Sequence, residues 1–209
     1  MTALTDVIKR GRKFDQVLEG AKTVFLRDGF EGASVDDIAR EAGVSKATLY
    51  SYFPDKRLLF AKIAEIECLR QAEIAEHVVD FASPPRAVLT EVGNRVLSFV
   101  TSDFGIAIFK ICVSENSRFP AIGRQFYESG PALARERLST YLQVACDRGD
   151  LEIDDIPFAA EQFLELNKSF VFPRLLCGVQ ASFNHEERDK VVNGAVDMFL
   201  ARYGARSEG

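Results

Sequence analysis

Between Ser45 and Phe53 the chain reads SKATLYSYF, and these residue types suit contact with a polyanion better than bond-making chemistry. Ala47 and the Thr48 methyl can meet a thymine methyl, while the Thr48 hydroxyl can bond to a base or a phosphate. Tyr50 and Tyr52 can donate to phosphates, and Lys46 and Lys56 supply charge. Leu49 and Phe53 fall on the opposite, core-facing side. With the cap residues and the remaining small hydroxyl, the candidate DNA contacts are Ser34, Ser45, Lys46, Ala47, Thr48, Tyr50, Ser51, Tyr52 and Lys56. Aromatic packing beneath the helix is the other reading of the tyrosines, Tyr50 above all.

Such a helix works only if neighbouring elements hold it outward. Phe14–Asp28 carries Phe14, Val17, Leu18, Ala21, Val24 and Phe25 at helical period, and Gly29 suits the left-handed residue that ends a helix. Ser34 and Asp37 can cap the next helix, which buries Val35, Ile38, Ala39 and Ala42. Gly43 ends it, Val44 plugs the turn and Ser45 caps the third helix. The window 34–53 therefore reads as a helix-turn-helix, whose second helix enters the DNA major groove. Pro54 closes it. Residues 55–80 follow as one long fourth helix, and Ser83-Pro84-Pro85 breaks the chain. Helices are expected at about 86–101, 103–115, 120–148, 157–177 and 185–203, with Pro173 kinking or shortening the fourth of these. The expectation is an all-α fold of about nine helices: a DNA-binding domain over residues 1–53 and a C-terminal effector-binding and dimerisation domain over 54–209.

The charge is distributed to match. The 209 residues carry a net charge of −5, yet residues 1–62 hold 11 Lys or Arg against 9 Asp or Glu. Phosphate attraction is screened beyond roughly 8–10 Å, so only the reading head needs to be basic. Lys9, Arg10, Arg12 and Lys13 make a basic arm there, read either as a DNA contact or as a solvated terminus. No apolar run reaches the roughly 18–20 residues of a membrane span, and the polar N-terminus does not resemble a signal peptide, so a cytoplasmic protein without a membrane partner is expected.

Catalytic and metal signatures are missing. There is no G-x-S-x-G, H-E-x-x-H, phosphate-binding glycine loop or paired E-x-x-H. Glu73, Glu76 and His77 share one helix and read as a solvated face. Cys68, Cys112, Cys146 and Cys177 are far apart, and His77 and His185 are not at ligand spacing. We therefore expect no enzyme activity, metal or cofactor. Three alternatives stay open: a redox-responsive regulator using one of the thiols, a helical-bundle enzyme, and an adaptor whose helix-turn-helix no longer reads DNA.

Twelve of the 17 phenylalanines follow residue 62. Phe104, Ile108 and Cys112 share a stripe on one helix, and Phe163, Asn167 and Phe170 on another. Such stripes fit plain core or the wall of a ligand pocket. Asn167, with Asn116 and Tyr127 near other apolar faces, adds the few polar groups a moderately hydrophobic effector would need. On the last helix Val192, Ala195, Val196 and Phe199 form an apolar face that fits either a monomer core or a two-fold interface.

The first quarter of the chain resembles the TetR/AcrR family of bacterial repressors. The resemblance rests on Phe25, Gly29-Phe30, Ala42-Gly43-Val44-Ser45, Leu49-Tyr50-Ser51-Tyr52-Phe53 and Lys56. Ser114–Pro120 and Phe126–Pro131 further resemble the AefR-like branch. The resemblance implies a homodimer on a palindromic operator in double-stranded DNA, with Thr48, Tyr50, Tyr52 and Lys56 at positions that touch bases or phosphates in relatives. It also implies repression relieved by a small molecule bound in the C-terminal body.

Overall fold

The computed structural model describes residues 11–78 and 80–205, with residues 71–78 described by their backbone alone. Lys9 and Arg10 of the basic arm, and the side chains of Glu73, Glu76 and His77, lie outside the described residues. Helices run α1 Arg12–Gly32, α2 Val35–Glu41, α3 Lys46–Tyr52, α4 Lys56–Val78, α5 Pro85–Val100, α6 Asp103–Ser114 and α7 Pro120–Tyr127. They continue with α8 Leu133–Asp147, α9 Ile156–Leu166, α10 Phe172–Leu176 and α11 His185–Tyr203. The all-α expectation holds: the described residues form no strand, only an isolated bridge between Leu151 and Gly204.

Two expected helices are interrupted. The segment 120–148 carries a π-helical turn at Glu128–Ala132 around Pro131. Proline has no N–H to give and its ring crowds the carbonyl four residues back, so the helix must widen there. The segment 157–177 stops at Leu166, and α10 begins only at Phe172, with Pro173 in its first turn. Between them Phe170 takes a left-handed φ of 69°, a conformation that costs a non-glycine residue roughly 1–3 kcal/mol.

The contacts divide the chain into two compact units. The first comprises the described residues through Glu67 together with Ala107–Phe126. Its core is built by Val17, Ala21 and Val24 of α1, Ile38 of α2, Leu49 of α3 and Leu59 of α4, all buried. An aromatic cluster extends it: Phe25 meets Phe60 edge-on at 4.9 Å, and Phe30 lies 5.1 Å from Phe60. Full burial of each such side chain contributes roughly 1.5–3 kcal/mol. Arg57, in the first turn of α4, reaches Glu115 beyond the end of α6 at 3.3 Å.

The second unit, Cys68–Ile106 with the described residues from Tyr127 onward, packs α5, α8, α9 and α11 around one core. Leu89 and Leu97, Tyr141 and Leu142, Phe163, and Val192 and Val196 are its deepest members. Phe163 and Phe199 meet edge-on at 5.4 Å, tying α9 to α11. The Tyr141 hydroxyl donates to the Ser83 carbonyl at 2.8 Å, and Arg148 donates to the carbonyls of Phe81 and Ser83. These bonds fasten the break before α5 onto α8. Asn184 and Glu187 form the expected cap of α11, each side chain bonding the other's backbone N–H.

Candidate nucleic-acid interface

The helix-turn-helix is set by caps and one close approach. Ser34 Oγ accepts the Asp37 N–H at 3.0 Å, and Ser45 Oγ accepts the Thr48 N–H at 3.1 Å. Each serine thereby satisfies one of the free amides that a helix start leaves over. Gly43 between α2 and α3 has φ +63°, the left-handed turn a glycine reaches without strain. Gly20, deep in α1, permits the packing: a β-carbon there would stand 2.6–2.7 Å from the Ala42 backbone.

These constraints turn α3 so that Leu49 is buried while Ser45, Lys46, Ala47, Tyr50 and Ser51 are exposed. Thr48 and Tyr52 are half-buried. The two tyrosines differ from expectation. Tyr50 is 48% exposed, whereas Tyr52 packs its ring edge-on against Phe14 at 5.5 Å. The small residues and hydroxyls thus form one accessible face, with the Thr48 hydroxyl held to Ser45 Oγ at 2.9 Å.

Lys56 is less available than its type suggests. Its ammonium donates to the carbonyls of Phe30 and Ala33 at 2.8 and 3.0 Å, and lies 4.4 Å from the centre of the Phe30 ring. It ties the start of α4 to the end of α1, and one N–H remains for a phosphate. The α4 amides are also engaged: Asp55 Oδ1 accepts the Arg57 N–H at 2.8 Å, so a carboxylate already stands there.

Carboxylates answer the other cations of this surface. Lys46 pairs with Asp36, Arg40 with Asp37, and Arg27 with Asp28 and, at 3.9 Å, with Glu41. The Arg27 hydrogen bond lowers the Asp28 carboxyl below its ordinary range. Arg12 and Lys13 are exposed at the start of α1. Arg40–Asp37 and Arg27–Asp28 are neighbours within one helix, whereas Lys46–Asp36 and Arg27–Glu41 join different helices, and those pairings are not legible in the sequence pattern.

Sequence and fold match known regulators. The family of bacterial regulatory proteins of the tetR type matches residues 17–63, and the AefR-like transcriptional repressor C-terminal domain matches residues 87–205. The chain belongs to the TetR family. Within it, the chain is 31% identical over 163 residues to the uncharacterized regulator YfiR of Bacillus subtilis, covering 75% of this chain and 77% of that one. The flavonoid-responsive regulator FrrA is 32% identical, superposes with a TM-score of 0.66, and is covered in full by 94% of this chain. A TetR-family regulator from Mesorhizobium loti shares the fold at TM-score 0.79 with 22% identity, over 95% of this chain and all of that one. Members and relatives regulate transcription through the helix-turn-helix and are not enzymes.

Two further sets of expected residues are placed as follows. Val192, Ala195, Val196 and Phe199 face the interior of the second unit. All are at most 3% exposed within a single chain, packed where α11 meets α5 and α9. The outward face of α11 carries Asn193, Gly194, Asp197, Met198 and Ala201, and Met198 is 61% exposed. Of the expected pocket residues, Ile108, Phe163 and Asn167 are wholly buried. Phe104 and Cys112 are half-buried, while Asn116, Tyr127 and Phe170 are exposed. Ile108, Cys112 and Asn116 belong to the first unit and the other five to the second.

Cys68 is buried, Cys112, Cys146 and Cys177 are free thiols, and burial pushes the Cys112 thiol up to about 11 and raises Cys146 as well. Among the described residues no group of three or more His, Cys, Asp or Glu is placed to share a metal ion, and no single helix is long and apolar enough to cross a membrane.

Proposed function

We propose that the chain is a cytoplasmic, homodimeric repressor that reads a palindromic operator with α3 and leaves it when a small, fairly hydrophobic molecule binds. The observation that carries the DNA reading is the accessible face of α3, where Ala47, Thr48, Tyr50 and Ser51 stand outward over a buried Leu49. Ala47 and Thr48 read base edges. Ser45, Lys46, Tyr50, Ser51 and Tyr52 hold phosphates, as does the remaining N–H of Lys56. Ser34 acts mainly as the cap that aims α2. Two such heads sit one DNA turn apart, roughly 34–36 Å, or a multiple of it.

The likeness to FrrA, a flavonoid-responsive regulator, supports an aromatic, largely apolar effector. Within the second unit, Phe104, Tyr127 and Phe170 keep accessible surface, and within the first unit Cys112 and Asn116 do. A ligand relieves repression only by binding the arrangement that does not fit DNA more tightly than the one that does. The dimer is assigned to the outward face of α11, where Gly194 and Ala201 are small enough for close approach and Met198 adapts to a partner.

Selecting bound sequences from a random duplex pool tests the reading. Enrichment of an inverted repeat supports it, and no enrichment at any salt concentration overturns it. Titrating flavone-type compounds into the operator complex tests the effector class by release of DNA.

A further inference from the structure

The surface of the reading head has an unusual charge arrangement for a protein that grips phosphates. Lys46, the first residue of α3, is 59% exposed, and its ammonium is held by Asp36, itself 62% exposed, in the first turn of α2. Arg40 and Arg27 are likewise held by Asp37 and by Asp28 and Glu41. Asp36 is not needed as the cap, because Ser34 Oγ already accepts the Asp37 N–H. Nor does an exposed pair of this kind add much stability. Its consequence lies elsewhere.

Phosphate contacts give affinity without sequence information, whereas base-edge contacts give specificity. A free ammonium at the start of α3 would bind any duplex. We propose that Asp36 is a specificity-determining residue, a built-in competitor that holds Lys46 and so removes sequence-independent affinity from the recognition helix. Thr48, Ala47 and Tyr50 are then left as a larger share of the total. On the operator the base contacts fix a register in which the Lys46 ammonium, with N–H groups to spare, meets a phosphate without leaving Asp36, whereas on a random duplex Asp36 must be given up to reach one. The inference rests on the DNA reading of α3.

The test uses the full-length protein, with a labelled random-sequence duplex and the selected operator measured between about 50 and 200 mM salt. Asp36→Asn should bind the random duplex more tightly at low salt. Its slope of log affinity against log salt should be steeper by about 0.9, close to an additional threefold loss across that range. Operator affinity should rise less, so the ratio of operator to random binding falls. In a Lys46→Met background, Asp36→Asn should change neither slope nor affinity.

An unchanged slope and ratio in Asp36→Asn overturns the proposal. So does an equal change in the Lys46→Met background, which would mean that Asp36 repels DNA directly. Thermal unfolding of each variant separates these results from loss of α2. If neither the wild type nor Asp36→Asn binds any duplex, the DNA reading and the proposal fall together. If the wild type prefers its operator and Asp36→Asn leaves that preference intact, only the proposal falls.

Discussion

Gly20 and Ala42 approach so closely that a β-carbon on Gly20 would lie 2.6 Å from the Ala42 nitrogen. This contact sets α1 against the end of α2, one residue before the left-handed Gly43 that aims α3. Backbone cannot swing away as a flexible side chain can. Gly20→Val should therefore destabilise the first unit by about 1–3 kcal/mol, the usual cost of overpacking, and weaken operator binding with it. Thermal unfolding and operator titration check this. A variant with wild-type stability would show that the helices do not meet this closely.

The two tyrosines of α3 should separate by function. Tyr52 packs on Phe14, so Tyr52→Ala loses stability as well as affinity. Tyr50 is exposed, and Tyr50→Phe should keep the unfolding temperature while weakening operator binding. A lost hydrogen bond to a charged phosphate corresponds to about 1.5–3 kcal/mol at most. Wild-type affinity for Tyr50→Phe would remove its hydroxyl from the interface.

Much of this head was legible in sequence, and the reasons are local. Ser34, Gly43 and Ser45 act through their own or adjacent turns, so a cap or a left-handed turn can be read from a short window. Gly29 has the positive φ of 70° but an extended ψ of 175°, and α1 kinks there and resumes to Gly32 instead of ending. The recognition face followed from which positions Leu49 and Phe53 take. Gly20 was missed, although a glycine inside a helix, costing roughly 1 kcal/mol against alanine, signals a packing reason. Lys56 was read as a phosphate contact because its carbonyl partners, Phe30 and Ala33, are more than twenty residues away. The α11 stripe was ambiguous for a related reason: an apolar face does not say whether it meets its own chain or another. Both breaks in the later helices coincide with prolines, Pro131 and Pro173, yet only the second was given that meaning.

Lys56 should behave as a tether. Lys56→Met removes two charge-assisted hydrogen bonds to carbonyls and leaves those acceptors without their donor, a cost of order 1–3 kcal/mol. The expected result is a lower unfolding temperature together with weaker operator binding. Weaker binding at unchanged stability would return Lys56 to a pure phosphate contact.

In the second unit Asn167 Nδ2 donates to the Phe163 carbonyl at 2.8 Å, while its Oδ1 is buried without a partner among the described residues. A β-carbon on Gly93 would stand 2.5 Å from that Oδ1 and 3.0 Å from a Val192 methyl. Gly93→Ala should therefore be destabilising, and Asn167→Ala should relieve part of the clash. The double variant should lose less than the two single losses added, by about 0.5–3 kcal/mol of coupling. Additive losses would mean that the two residues do not share this space.

The dimer assignment predicts opposite outcomes for two adjacent residues. Met198→Glu, on the exposed face of α11, should shift the protein toward monomer in sedimentation while each chain stays folded. Phe199→Ala should lower the unfolding temperature through a core cavity costing about 3–5 kcal/mol. A dimer that survives Met198→Glu places the interface on another face.

Cys112 supplies a pH-dependent prediction. Burial disfavours the charged thiolate and pushes its pKa up to about 11. The thiolate is the nucleophile, so at pH 8 only about one molecule in a thousand is reactive at this site. The fraction grows about tenfold per pH unit until it levels off near pH 11. Alkylation followed by peptide mass spectrometry should show little modification of Cys112 at pH 8 in the folded protein, and prompt modification in denaturant, where burial no longer opposes the charge. Rapid modification of native Cys112 at pH 8, with loss of operator binding, would instead favour control by oxidation of this thiol.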